Sequence, residues 1–418
     1  MSRSLTATAG SDPTVSSGLI AFVELVTVLL LVAALIAAVA RRTAVPESIV
    51  FVLVGLGVAI AFPMIRLGIS ADLVLLVLLP GLVFEAAYDL EWRNVRTVLP
   101  ALLALAVPGV LISAGAVAVA LHLATGLPLS LTFVVGAITA ATDPVAVTSA
   151  LRRLAVPERL RTLVEGESLL NDGTGLVLFA LALRAAESDL SIGEALGIAL
   201  LTVLVSVAVG VAGGYVAARL IRLTDEAAIQ LTGSIVLAYG TYEIAAALGL
   251  SGILATVVSA ATLGGLLRRD AAAPAIVRDF DVFWGTLAFV LTSITFLLIG
   301  FAIEISGLLS AIGAVLVGTF AIVVARATMI YAPLLILRRR GWIEAPRGWA
   351  HVLFWSGLRG AVALAAALSI PSDFPERGLL QDISFGVVLL TLLLQGGTAT
   401  LVVGKMLGAK APPVGGAG

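Results

Sequence analysis

The chain has 418 residues, 60% hydrophobic and 12% charged, with a mean hydropathy of +1.13. An ordinary water-facing surface cannot be built from that mixture, so lipid is the solvent for most of it. A formal net charge of −1 without a basic tract leaves no footprint for nucleic acid, and the absence of cysteine excludes disulfides, zinc ribbons and thiol catalysis.

Helices that cross a bilayer need apolar stretches of about 17 to 25 residues, because lipid satisfies no backbone hydrogen bonds. Thirteen such stretches are found, at 18 to 40, 47 to 64, 71 to 88, 97 to 122, 130 to 151, 161 to 183, 195 to 218, 228 to 248, 251 to 267, 280 to 303, 306 to 333, 349 to 371 and 381 to 404. The first reads as a retained helix rather than a secretory signal, with Arg41 and Arg42 as its stop. After the last comes a short Pro/Gly-rich end from Lys410 to Gly418, so residues 1–418 read as a single membrane domain.

Loop charge tests the count, since cytoplasmic loops hold the excess of Lys and Arg. With the N-terminus outside, the inside segments hold nineteen basic residues, among them Arg41, Arg42, Arg93, Arg96, Arg152, Arg153, Arg268, Arg269, Arg340 and Lys410. The outside segments hold four: Arg3, Arg66, Arg184 and Arg377. Arg326 and Arg359 lie within helices. The expected topology is thirteen helices, N-terminus outside and C-terminus cytoplasmic.

A charge near the bilayer centre costs at least about 2.5 to 3.5 kcal/mol, so each one must face a partner, a cavity or a pathway. Six such residues stand out: Glu85, Asp143, Glu167, Asp172, Arg326 and Arg359. The fifth helix contains Thr142-Asp143-Pro144, where proline removes a backbone donor and disfavours helix at the preceding residue. Broken helices free carbonyls and helix ends that can meet a cation at mid-membrane. The sixth helix carries Glu167, Ser168, Asn171 and Asp172 on one polar face, with Glu167–Asn171 and Ser168–Asp172 at i, i+4 spacing. The basic loop between these helices is eight residues from Asp143 and eleven from Asp172, roughly 12 and 16 Å. The two carboxylates can therefore share one site.

Oxygen ligands without imidazole or thiolate suit an alkali cation or a proton. The two arginines are the available partners for Glu167 and for the broken backbone, and the glycines flanking Arg359 in Gly357-Leu358-Arg359-Gly360 would let the twelfth helix unwind as proline does in the fifth. These two helices are seven apart, which fits an inverted repeat of helices 1–6 and 8–13 crossing at the midplane. Blander readings stand beside these. The alternatives are a cap at a kink for Asp143, polar packing for Asp172, a structural ion pair for Glu167 and Arg326, and an interfacial helix end for Glu85.

In this order and spacing the segment ending at Phe84-Glu85, the Thr142-Asp143-Pro144 break, the Glu167-Ser168 and Asn171-Asp172 pairs, Arg326, and Gly357-Leu358-Arg359-Gly360-Ala361 resemble the electroneutral branch of the cation/proton antiporters, the prokaryotic NhaP proteins and animal NHE exchangers. The resemblance implies an all-α membrane fold of the NhaA/NhaP kind, with broken crossing helices 5 and 12 and core and dimerisation subdomains, assembled as a homodimer. It implies that Asp172 carries the cation or proton, that Thr142, Asp143 and Ser168 help to ligate Na+, and that Glu167 pairs with Arg326, with Arg359 in support. Asn171 and Glu85 complete the candidate cation- and proton-binding groups. Electrogenic relatives carry a second aspartate where this chain has Asn171, which implies one-for-one exchange.

The expected function is a secondary antiporter of a prokaryotic cell (inner) membrane that exchanges Na+ or Li+ for H+ as transported substrates, with no cofactor and no enzymatic step. A K+/H+ antiporter and, from another class, a cation channel are the rivals. An intramembrane protease would need a nucleophile and base within helices, and no such set stands in the sequence.

Overall fold

The computed structural model describes residues 27, 28, 30–36, 38, 46–62, 70–143, 147, 148, 151, 156–188, 190–269, 274–339 and 347–407. Among them no strand occurs. The first helices are α1 (Glu47–Ala61), α2 (Leu73–Tyr88), α3 (Trp92–Thr125) and α4 (Leu129–Ala140). They are followed by α5 (Glu158–Glu187), α6 (Ile192–Ile221), α7 (Ala227–Ala247), α8 (Gly252–Leu267), α9 (Pro274–Ala302), the short α10 (Ile305–Ser310) and α11 (Ile312–Arg339). The last are α12 (Arg347–Trp355), α13 (Ala361–Leu368) and α14 (Arg377–Thr391), which runs through a π turn at Leu392–Gly396 into α15 (Gly397–Leu407).

The second to thirteenth expected spans all overlap these helices. Of the first, the described residues 27, 28, 30–36 and 38 are helical. Arg3, Arg41, Arg42, Arg66, Pro144, Arg152, Arg153, Arg340 and the end from Lys410 lie outside the described residues. Several helices outrun their apolar stretches, two of them at charged or polar first turns. The fourth begins at Trp92 rather than 97, and the sixth covers Glu158–Glu187 rather than 161 to 183, because polar first turns extend the helix beyond the hydrophobic length into the interface. Among the described residues six segments are individually long and apolar enough to span a bilayer. Helix α4 is too short to do so alone because it stops at the expected break: Ala141 is already extended (φ −61°, ψ 144°).

Helix packing sorts into two groups. In one, α1 lies on α9, α8 on α6, α7 and α2. In the other, α4 lies on α3, α5, α13 and α14, and α11 packs on α3 and α14. Without a hydrophobic drive between helices in lipid, small residues set the close approaches. A Cβ on Gly55 would run into the Leu297 carbonyl of α9, and one on Gly210 or Gly214 into the backbone of α8 at Ala255 or Ser259. In the Gly55-Leu56-Gly57 run, Gly55 is thus a packing position, while Gly57 faces open space. The groups meet where α2 and α8 touch α5 and where α9 touches α13, and the functional residues sit at that seam.

Candidate ion-exchange site

Two interrupted helices face one another at the centre of the site. One is broken at residues 141–143, the other at 356–360 between α12 and α13. The backbone N–H of Asp143 donates to the Leu358 carbonyl at 2.8 Å. Arg359, 2% exposed, donates from one Nη to the carbonyls of Ala140 (2.8 Å) and Ala141 (2.7 Å). These are carbonyls that α4 leaves unpaired by ending, and a cation is favoured at that negative end of the helix dipole. In return the Asp143 carboxylate accepts from the N–H of Ala361, at 3.4 Å, where α13 begins. Each break is capped by a charge from the other. Asp143 thus caps the opposite broken helix.

A second buried network lies one helix turn away. Arg326 grips Glu167 with both nitrogens of its fork, at 2.8 and 3.0 Å, with exposures of 4% and 1%. The same guanidinium donates to the carbonyls of Leu353 and Phe354 and to Ser356 Oγ at the end of α12. The bidentate geometry and the extra acceptors are what a buried pair needs to offset its desolvation. Asn171 joins this pair to the break: its Nδ2 donates to Glu167 Oε1 (3.0 Å) and to Thr142 Oγ1 (3.2 Å). Its Oδ1 is buried and has no partner among the described residues. Ser168 turns to Thr142, bonding its carbonyl and its hydroxyl, rather than to Asp172 as the i, i+4 spacing suggested.

Asp172 stands apart. It is half-buried, and no hydrogen bond reaches its carboxylate among the described residues. It lines a cavity of about 120 Å³ together with Thr142, Asp143, Ser168, Glu85 and Thr295. The cavity lies on the seam: α2 and α9 form one wall, while α5, the 141–143 break and the start of α13 form the other. Its donors are carboxylate and hydroxyl oxygens, the set a hard monovalent ion accepts. Of the expected site residues, Asp172, Asp143, Ser168, Thr142 and Glu85 are brought to this cavity. Asn171, Glu167, Arg326 and Arg359 form the scaffold behind it.

One cluster was not singled out in the sequence. Asp89, also at the cavity wall, takes Arg268 at 2.9 Å and Arg161 at 4.0 Å, while Arg161 also holds Glu165 at 3.0 Å and Arg268 reaches Asp281 at 3.5 Å. In the sequence these arginines serve only as topology markers. The available signal was the i, i+4 spacing of Glu85 with Asp89 and of Arg161 with Glu165 on neighbouring helices.

A sodium/hydrogen exchanger transmembrane family model matches residues 28–405. The chain belongs to the sodium/hydrogen exchanger family. Membership makes it a membrane transporter rather than an enzyme. Among its relatives, the Na(+)/H(+) antiporter ApNhaP of Aphanothece halophytica is 38% identical over 372 residues, covering 87% of this chain and 70% of that protein. The low-affinity Na(+)/H(+) antiporter NhaS1 of Synechocystis is 35% identical over 86% of this chain and 69% of its own length. The solved sodium proton antiporter MjNhaP1 from Methanocaldococcus jannaschii shares the fold, with a TM-score of 0.75 at 20% identity over 93% of this chain and 99% of that one.

Proposed function

We propose that this exchanger moves Na+ against H+, one for one, with Asp172 as the site both ions share. The observation that carries the reading is the contrast between the two carboxylates of α5. Glu167 is neutralised by the bidentate Arg326, whereas Asp172 faces the cavity with no hydrogen-bond partner among the described residues. Only the deprotonated carboxylate can ligate a cation, so Na+ and H+ exclude each other there. Thr142, Ser168 and Asp143 supply the remaining oxygens, with Glu85 along the approach. Neutral Asn171 and the neutralised Glu167 leave one mobile charge per cycle, which supports electroneutral exchange. The relatives whose names specify Na(+)/H(+) antiport support the choice of ions. Li+ is the second substrate in this reading, a smaller ion of the same charge that the same oxygens can ligate.

In this reading the group containing α4, α5 and α13 is the moving core, and the group containing α1, α2 and α6 to α9 is the scaffold that pairs with a second copy. Spans 1–6 and 8–13 of the thirteen expected from the sequence are then the inverted repeats, and the mutual capping of the two breaks is the contact expected where such repeats cross. The bilayer is the cell membrane of a prokaryote, with the N-terminus outside and the Asp89 end of the cavity facing the cytoplasm.

Proton flux in sealed vesicles of purified protein, challenged in turn with sodium, lithium and potassium, tests the function. Sodium and lithium are expected to drive proton movement. Flux driven by potassium alone would replace the reading with K+/H+ exchange, and cation current without proton counterflow would replace it with a channel.

A further inference from the structure

The face of α5 next to the one that lines the ion cavity borders a second space. An apolar crevice of about 440 Å³ runs between α3 and α5 on one side and α6 and α8 on the other, walled by Leu99, Leu102, Leu170, Val211 and Val257. It continues into a basic pocket of about 740 Å³ that holds Arg93, Arg96, Arg268 and Arg269. Leu90, Trp92, Gly265 and Arg269 line both, so the two form one continuous space.

The basic pocket is under-compensated. Arg268 is committed to Asp89 and Asp281. Glu91 is the pocket's one acidic wall residue, and it accepts from Asn94. Arg93, Arg96 and Arg269 are exposed and have no ion-pair partner among the described residues. Arg93 and Arg96 also sit in the first turns of α3, where Glu91 at the N-cap makes no side-chain cap hydrogen bond and is the one acidic residue against two arginines. Cations at the positive end of a helix dipole are unfavourable unless an anion sits among them. Trp92, 47% exposed, stands where basic head and apolar crevice join, the position of an interfacial aromatic anchor.

We propose that this space binds an anionic phospholipid, with its phosphate on Arg93, Arg96 and Arg269 and one acyl chain in the crevice. A soluble phosphate would satisfy the arginines but leave the crevice unfilled; a zwitterionic lipid would fill the crevice but bring no net charge. Leu169 lines both the crevice and the ion cavity. The acyl chain therefore lies one side chain away from the space that Asp172 faces, wedged between the two helix groups. The binding itself does not rest on which ions are exchanged.

Native mass spectrometry of the full chain released from mild detergent reads this directly. Phosphatidylglycerol and phosphatidylethanolamine with the same acyl chains are offered together, with and without glycerol 3-phosphate. The wild type should retain phosphatidylglycerol in preference. The triple variant Arg93→Gln/Arg96→Gln/Arg269→Gln should lose that preference by about tenfold or more, the order expected of two or three arginine contacts to an anionic lipid. Gly265→Leu tests the chain slot with the arginines intact. A Cβ there meets nothing within 4 Å, so the side chain enters the crevice without disturbing the fold, and phosphatidylglycerol retention should fall. Equal retention of the two lipids by the wild type, or unchanged retention in both variants, overturns the proposal. Displacement by glycerol 3-phosphate with Gly265→Leu unaffected also overturns it, in favour of a soluble phosphate site.

Discussion

Arg359 and Asp143 cap each other's broken helices: the arginine takes the carbonyls at the end of α4, and the aspartate takes the N–H of Ala361 at the start of α13. The arrangement leaves no room beside Gly360, where a Cβ would strike the Asp143 carboxylate. Gly360→Ala should displace Asp143, cost roughly 1–3 kcal/mol in stability and depress exchange. Gly57→Ala, whose Cβ meets nothing within 4 Å, is the control. Thermal unfolding in detergent compares the two, and equal melting would show that the cap tolerates the extra atom.

The Glu167–Arg326 pair is a test of structure against chemistry. Removing one partner leaves an uncompensated buried charge, so Glu167→Leu alone should cost roughly 3–5 kcal/mol. Glu167→Leu/Arg326→Met should be more stable than that single variant. Recovery will be partial, because Arg326 also satisfies the Leu353 and Phe354 carbonyls. A double variant no more stable than the single would mean that those backbone contacts, not the ion pair, carry the cost.

Much of this was legible in the sequence, for physical reasons. Pro144 and the glycines around Arg359 mark breaks because they act on the backbone locally, and intramembrane charges announce themselves by their insertion cost. Which arginine meets which partner was open from the residues alone, since that depends on helix packing set by contacts such as Gly55 against α9. The reciprocal caps and the turn of Ser168 toward Thr142 were likewise not legible, because an i, i+4 spacing gives proximity along one helix and says nothing of a better acceptor on another. Asp89 was missed because it lies at a helix end, where a charge carries no insertion cost and only its i, i+4 spacing from Glu85 marks it.

Competition at one carboxylate fixes the sign of the pH dependence. Below the pKa of Asp172 the proton occupies the site, so the apparent sodium constant should rise as pH falls, approaching about tenfold per pH unit. Initial rates of sodium-driven proton flux over a pH series measure it. A constant that stays flat throughout would mean that the two ions take separate paths.

Electroneutrality is tested by voltage. In vesicles holding a potassium gradient, valinomycin imposes a membrane potential, and the steady proton gradient set by a fixed sodium gradient should not change. A shift with potential would mean that net charge moves and that a second titrating group belongs in the cycle, with Asp143 the first suspect. Asn171→Asp is a weaker test, since a second buried carboxylate would protonate to avoid like-charge repulsion.

Asp172→Asn tests the shared carboxylate most directly. The substitution keeps the side chain's shape and removes the group that binds both ions, so the variant should fold and elute as the wild type does. In sealed vesicles it should show no sodium-driven proton flux at any pH. Sodium-driven flux at the wild-type rate in that variant would contradict the central claim.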